Sequence, residues 1–201
     1  MTKVIGVTGG IACGKSTVSK YLRELGFPVV DADLVARKIV EPGTEGLQQI
    51  KDIFGWQYLT PGGVLNRDKL GKLVFDNPEA LDALNQITVP LITKELKKEI
   101  SAKGSLVVLD AALLVKESSY REMADVIWLV TLSPELQLKR LMARNGYSVQ
   151  QAQARIDAQV PQEEQMKYAD GIINNDGTIE ETCRQVDELI LKLKFSDNAF
   201  D

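Results

Sequence analysis

The stretch Gly9-Gly10-Ile11-Ala12-Cys13-Gly14-Lys15-Ser16 constrains this chain more than any other. It follows a short apolar run, Val4 to Thr8, and leads into a segment from Ser16 to Leu25 that reads as a helix stopped by Gly26. Two glycines separated by four residues let a backbone fold tightly around an anion, so that successive N–H groups point inward. The positive end of the following helix adds to the same anion. The pattern therefore predicts a phosphate loop, with Gly9 to Ser16 as the cradle. In such a loop Lys15 reaches the β- and γ-phosphates and the Ser16 hydroxyl ligates Mg²⁺.

The rest of the chain alternates short apolar runs with helical segments. Phe27 to Val30, Ser105 to Leu109, Val126 to Thr131 and Gly171 to Asn174 join Val4 to Thr8 as five candidate strands. Their continuous apolar character is that of strands buried on both faces. The expected fold is α/β: a five-stranded, mostly parallel sheet with helices on both faces. It is expected as a single domain over residues 1–201 with two additions. Residues 41–104 read as an entirely helical insertion, in which Pro90 should kink or split a helix. Residues 133–168 read as two or three polar helices forming a lid, with Pro134 near the first start. A last helix is expected from about Thr178 to Leu193.

Composition narrows the chemistry. The 201 residues include no histidine, which rules out a His-ligated zinc site, a Ser-His-Asp triad and a Cys-His pair. Acid–base work falls to carboxylates, Lys, Tyr, Cys or water. A net charge of -4 argues against a general nucleic-acid binder. Two cysteines far apart in the chain form neither a disulfide framework nor a metal cluster. With no signal peptide and no run of 18 apolar residues to span a membrane, a soluble cytoplasmic protein is expected. The Asn-Lys-x-Asp base reader of a GTPase is absent, and so is the Leu-Ser-Gly-Gly signature of a transporter ATPase. A small-molecule kinase is the leading class.

Such an enzyme must orient an acceptor hydroxyl and receive its proton. Asp31-Ala32-Asp33 stands where the second strand ends, on the edge where open α/β sheets bind ligands. Asp33 is the candidate base or orienter, with Asp31 supporting; one of the two could instead cap the following helix. Asp110 ends the third strand, where many phosphate-loop proteins hold Mg²⁺ through water. In the lid, Arg140 and Arg144 share one helix face and Arg155 follows on the next helix. Their guanidinium groups suit the charge on a transferring phosphoryl group. Cys13 is either an incidental small residue or, beside Lys15 at a helix N-terminus, a thiol of lowered pKa whose oxidation would block the loop.

Taken together, these segments resemble the dephospho-coenzyme A kinases over essentially the whole chain. The resemblance rests on Val7 to Thr17, Val30-Asp31-Ala32-Asp33, Gly63-Val64-Leu65-Asn66-Arg67 and Leu84-Asn85-Gln86-Ile87. It continues through Arg140 to Gly146, Arg155-Ile156-Asp157-Ala158-Gln159 and Ala169 to Asn175. It implies transfer of the γ-phosphoryl of ATP to the ribose 3′-hydroxyl of dephospho-coenzyme A, with Asp33 as the activating carboxylate. It further implies Ala12 to Thr17 around the ATP phosphates, Arg140 on those phosphates, and Arg67 as an acceptor contact in the helical insertion. The chain departs from the family pattern at three places. Ala12 stands where the family usually has Gly, and its small methyl is tolerable if the local φ is negative. Val89-Pro90 replaces the common His-Pro. Ala112-Leu113-Leu114-Val115-Lys116, with an acid only at Glu117, replaces a Pro-Leu-Leu segment and its aromatic-acidic pair.

Overall fold

The computed structural model describes residues 2–112, 114 and 120–197, the last four of these by their backbone only. The departures at Leu113, Val115, Lys116 and Glu117 lie outside the described residues. Two compact units emerge, one formed by residues 1–30 with 103–201 and the other by residues 31–102.

The first unit carries the sheet except for Asp31, the last residue of β2. β1 (Lys3–Gly9), β2 (Val29–Asp31), β3 (Leu106–Asp110), β4 (Val126–Thr131) and β5 (Gly171–Asn174) lie in the order β2-β3-β1-β4-β5. β1 pairs in parallel with β3 and β4, and β4 pairs in parallel with β5. The apolar runs become strands because Val, Ile and Leu fill both faces: β1 is buried from Val4 through Gly9, and β4 from Ile127 through Thr131. The helices α1 (Lys15–Glu24) and α9 (Ile179–Asp197) pack on the sheet and on each other. Val18, Leu22 and Val186 meet Ile5, Val7, Trp128 and Ile173 in that core.

Three helices follow β4. α6 (Pro134–Asn145) begins on the favourable N-terminal proline and ends at Gly146, whose φ of 66° only glycine adopts without strain. α7 (Val149–Asp157) opens on a capping box between Ser148 and Gln151, and α8 (Gln162–Met166) is a single short turn. Among the described residues, no helix is long and apolar enough to cross a membrane.

The second unit holds α2 (Ala32–Lys38), α3 (Glu45–Phe54), α4 (Arg67–Asp76) and α5 (Pro78–Ser101). Its core gathers Val40, Ile50, Leu70 and Ile87, with Phe54, Tyr58 and Leu91 packed against them. One detail corrects the sequence reading and a second narrows it. The insertion is not wholly helical: Leu59 and Leu65 pair in an antiparallel bridge around a tight turn, closed by Gly63 N–H to Thr60 carbonyl at 2.9 Å. Pro61-Gly62-Gly63 dictates that break, since Gly63 takes a φ of 74°. Pro90, in turn, does not split α5, which continues through it. Pro90 is exposed, and it leaves the Gln86 carbonyl one turn earlier without its helical donor.

Candidate active site

The glycine-rich loop joins β1 to α1. Gly9 is a glycine because β4 comes close: a Cβ there would stand 2.8 Å from the Val130 carbonyl oxygen. Gly14 caps α1 with a φ of 94° and offers no side-chain acceptor to the helix. The first N–H groups of a helix have no partner within it, and the first turn of α1 carries no acidic residue, so that end is left for an anion. Two bonds set the loop's curve, from Cys13 N–H to the Gly10 carbonyl at 3.1 Å and from Thr17 N–H to the Gly14 carbonyl at 2.9 Å.

Ala12 does not meet the condition of a negative φ. Its φ is 62°, and it is the non-glycine residue with positive φ among those described. A methyl in that region costs about 1–2 kcal/mol. Replacement by glycine recovers this less about 0.4–1 kcal/mol of added unfolded-chain freedom. Ala12→Gly is therefore expected to raise the melting temperature, by about 2 °C for a chain of this size. A lower melting temperature in thermal denaturation would show that the methyl's contacts outweigh the backbone strain.

Lys15 sends its Nζ to Asp110 Oδ1 at the end of β3, and both side chains are largely buried. The parallel register of β1 and β3 explains the meeting, since it sets Val7 beside Asp110 and brings the strand ends to one edge. Ser16 is exposed on the first turn of α1.

Arg140 on α6 joins the loop indirectly. Its Nη2 donates to the Asn175 carbonyl at 3.0 Å, and Asn175 Nδ2 donates to the Cys13 carbonyl at 2.8 Å. The Ile11 peptide is held on both sides: Gln137 Nε2 donates to its carbonyl at 2.9 Å, and its N–H donates to Gln159 Oε1 at 2.7 Å. The other two arginines are engaged locally. Arg144 bonds the Asn145 side chain, while Arg155 bonds the Gln151 carbonyl and stacks over Tyr147 at 4.1 Å.

Of the two readings of Cys13, the structure favours the incidental small residue over the thiol of lowered pKa. It is 1% exposed, and burial pushes its thiol up to about 11 despite the nearby Arg140. The thiol therefore stays protonated and sheltered at neutral pH, which removes the basis for an oxidation switch.

The second unit carries the acceptor candidates. Asp31 and Asp33 divide two tasks. Asp31 caps α2, its Oδ1 accepting from Asp33 N–H at 2.9 Å and from Leu34 N–H at 3.2 Å. Asp33 is exposed in the first turn, and its carboxylate is not spent on the cap. Arg67 begins α4, donates to the Arg37 carbonyl at 3.3 Å, and lines a pocket of about 220 Å³ with Ala36, Val40, Leu70 and Thr88.

Gln137 and Asn175 were not singled out from the sequence. The available signal was a polar amide three residues before Arg140 on the same helix face, and a second one directly after the last apolar strand.

The chain is similar to known proteins over nearly its whole length. The family model described as dephospho-CoA kinase matches residues 3–181. A dephospho-CoA kinase of Carboxydothermus hydrogenoformans is 49% identical over 198 residues, covering 96% of this chain and 96% of that protein. A crystal structure from Thermus thermophilus superposes with a TM-score of 0.83 at 34% identity, over 96% of this chain and 98% of that one. The dephospho-CoA kinase structure from Campylobacter jejuni gives 0.72 at 29% identity, over 98% of this chain and 100% of that one. The chain belongs to the dephospho-CoA kinase family and is an ATP-dependent kinase.

Proposed function

We propose that this chain transfers the γ-phosphoryl group of ATP to the ribose 3′-hydroxyl of dephospho-coenzyme A, giving coenzyme A and ADP. The observation that carries the reading is the anion cradle of the first unit, where the loop, Lys15 and Asp110 meet and Arg140 is tied to the same backbone. Gly9 to Thr17 hold the ATP phosphates through loop N–H groups and the positive end of α1. Lys15 and Arg140 hold the negative charge that spreads over the transferring phosphoryl oxygens.

Asp33 accepts a hydrogen bond from the 3′-hydroxyl and takes its proton. The hydroxyl oxygen forms a bond to the γ-phosphorus as the bond to the β–γ bridging oxygen breaks, and ADP leaves with that electron pair. What supports Asp33 is its place just after β2 and a carboxylate left free by the cap that Asp31 provides. Asp31 supports the acceptor side by fixing the start of α2, and Arg67 supplies a guanidinium to the acceptor.

Mg²⁺ fits the residues present. Among the described residues no group of three or more His, Cys, Asp or Glu could cage a metal ion. Mg²⁺ is ordinarily held by one or two protein oxygens together with substrate phosphates, and the Ser16 hydroxyl and Asp110 carboxylate are hard oxygen donors of that kind. When bound, it neutralises charge on the β- and γ-phosphate oxygens.

An acceptor panel tests the assignment. ADP release from ATP and Mg²⁺ is expected with dephospho-coenzyme A and not with AMP, adenosine or simple sugars. Turnover confined to another acceptor would leave the nucleotide half of the reading and overturn the substrate.

A further inference from the structure

Asn175 has no part in the family pattern set out above beyond its place in a strand-end segment, yet it bonds both the Cys13 carbonyl of the loop and Arg140 and lies against Gly14. We propose that Asn175 is the positioning residue of that cradle, aiming the Cys13–Gly14 peptide with its side chain and anchoring Arg140 with its main chain. The proposal rests on the reading that the loop binds ATP.

The backbone of Asn175 is fixed first. It follows directly on β5, and its N–H donates to the carbonyl of Thr131, the last residue of β4, at 2.9 Å. The residue is only 5% exposed. Its side chain is then fixed by chemistry. The Cys13 carbonyl can only accept, so the amide NH₂ must face it, at 2.8 Å. The amide oxygen is left for the Thr182 hydroxyl on α9, which donates at 2.9 Å from a residue itself 1% exposed.

The consequence follows from peptide geometry. No described peptide bond is cis, and in a trans peptide the C=O and the next N–H point in opposite directions. Holding the Cys13 carbonyl on the Asn175 side sends the Gly14 N–H to the other side, where α1 begins. Gly14 answers to the same constraint, because a Cβ there would overlap the Asn175 amide nitrogen. The Asn175 carbonyl, meanwhile, accepts from Arg140 Nη2 at 3.0 Å. One buried residue thus references a loop N–H and a lid guanidinium to the edge of the sheet. Donors aimed in advance need no reorganisation when phosphoryl charge develops.

The test measures ATP affinity, both KM values, turnover and melting temperature for the full chain and three variants. Asn175→Ala is expected to raise the Kd and KM for ATP about tenfold, as for loss of one to two hydrogen bonds, with the KM for dephospho-coenzyme A within about twofold. Thr182→Val removes only the hydroxyl that steadies the amide, with no part in binding nucleotide. It is expected to raise the KM for ATP about threefold, a fraction of the same loss. The double variant should be no worse than Asn175→Ala, because both changes act through one bond chain. A folded Asn175→Ala protein with ATP affinity and turnover like the parent overturns the proposal. So does an equal rise in both KM values, the mark of general loosening. If Asn175→Ala does not fold, Thr182→Val with an unaltered KM for ATP overturns it. A parent chain that binds no ATP removes the underlying reading as well, whereas a parent that binds and variants that do not differ remove this proposal alone.

Discussion

Asp33→Asn is expected to lower turnover by about two to four orders of magnitude, the usual contribution of a positioned general base. The affinity for ATP should stay within about twofold, because no part of the phosphate cradle is altered. The reasoning combines composition with local structure. With no histidine in 201 residues, a carboxylate is the natural proton acceptor, and Asp31 and Asp33 are the pair at the end of β2. The structure separates them: Asp31 Oδ1 accepts from two N–H groups of α2, while Asp33 stands exposed in the first turn. The amide of asparagine keeps the size and a hydrogen-bond acceptor but takes no proton at neutral pH. Steady-state turnover and ATP titration of the two proteins decide the matter. A variant that turns over at near the parental rate would remove Asp33 from the base role. The partner change, Asp31→Ala, should act differently, removing the helix cap and costing about 1 kcal/mol of stability.

Lys15→Met is the second large change, and it should show in two measurements at once. Turnover is expected to fall by about 10² to 10³, the effect of removing one charged donor from a phosphoryl-transfer site. Stability should fall too, because Asp110 is 5% exposed and loses the cation that its carboxylate meets. Leaving a buried charge without its partner costs about 3 kcal/mol. The two losses separate when Asp110→Asn is added. The double variant no longer buries an unpaired charge, so its melting temperature should recover most of the difference while its turnover does not. Recovery of turnover with stability would mean that Lys15 acts only as a structural partner of Asp110.

The sequence exposed whatever is governed by neighbouring residues. The loop Gly9 to Ser16 and the five apolar runs needed only local spacing, and the sheet formed by those runs stands as expected. The order of strands placed Lys15 and Asp110 at one edge, so their meeting was within reach of sequence reasoning. The Asn175–Cys13 bond was not, since it joins residues 162 positions apart and neither side chain carries a pattern that names the other. Gln159 and Ile11 pose the same problem at a separation of 148. Local rules also lost where burial or crowding outweighed them. Cys13 sits where a helix N-terminus and Arg140 draw a thiol pKa down, yet desolvation drives it up. Ala12 takes a glycine's conformation because the loop around it is bound at Ile11 and Cys13. Pro61-Gly62-Gly63 was passed over as part of a helical insertion, though its turn residues were plain in the sequence.

The measurement that bears most directly on the assignment is the position of the new phosphate. The chain is incubated with ATP, Mg²⁺ and dephospho-coenzyme A, and the product is examined by mass spectrometry and by phosphorus-coupled proton NMR of the ribose. The account predicts one added phosphoryl group, with the new phosphorus coupling to the proton on the ribose 3′ carbon, and one ADP formed for each product molecule. A phosphoryl group on any other hydroxyl, or ADP formed without a phosphorylated acceptor, would contradict it.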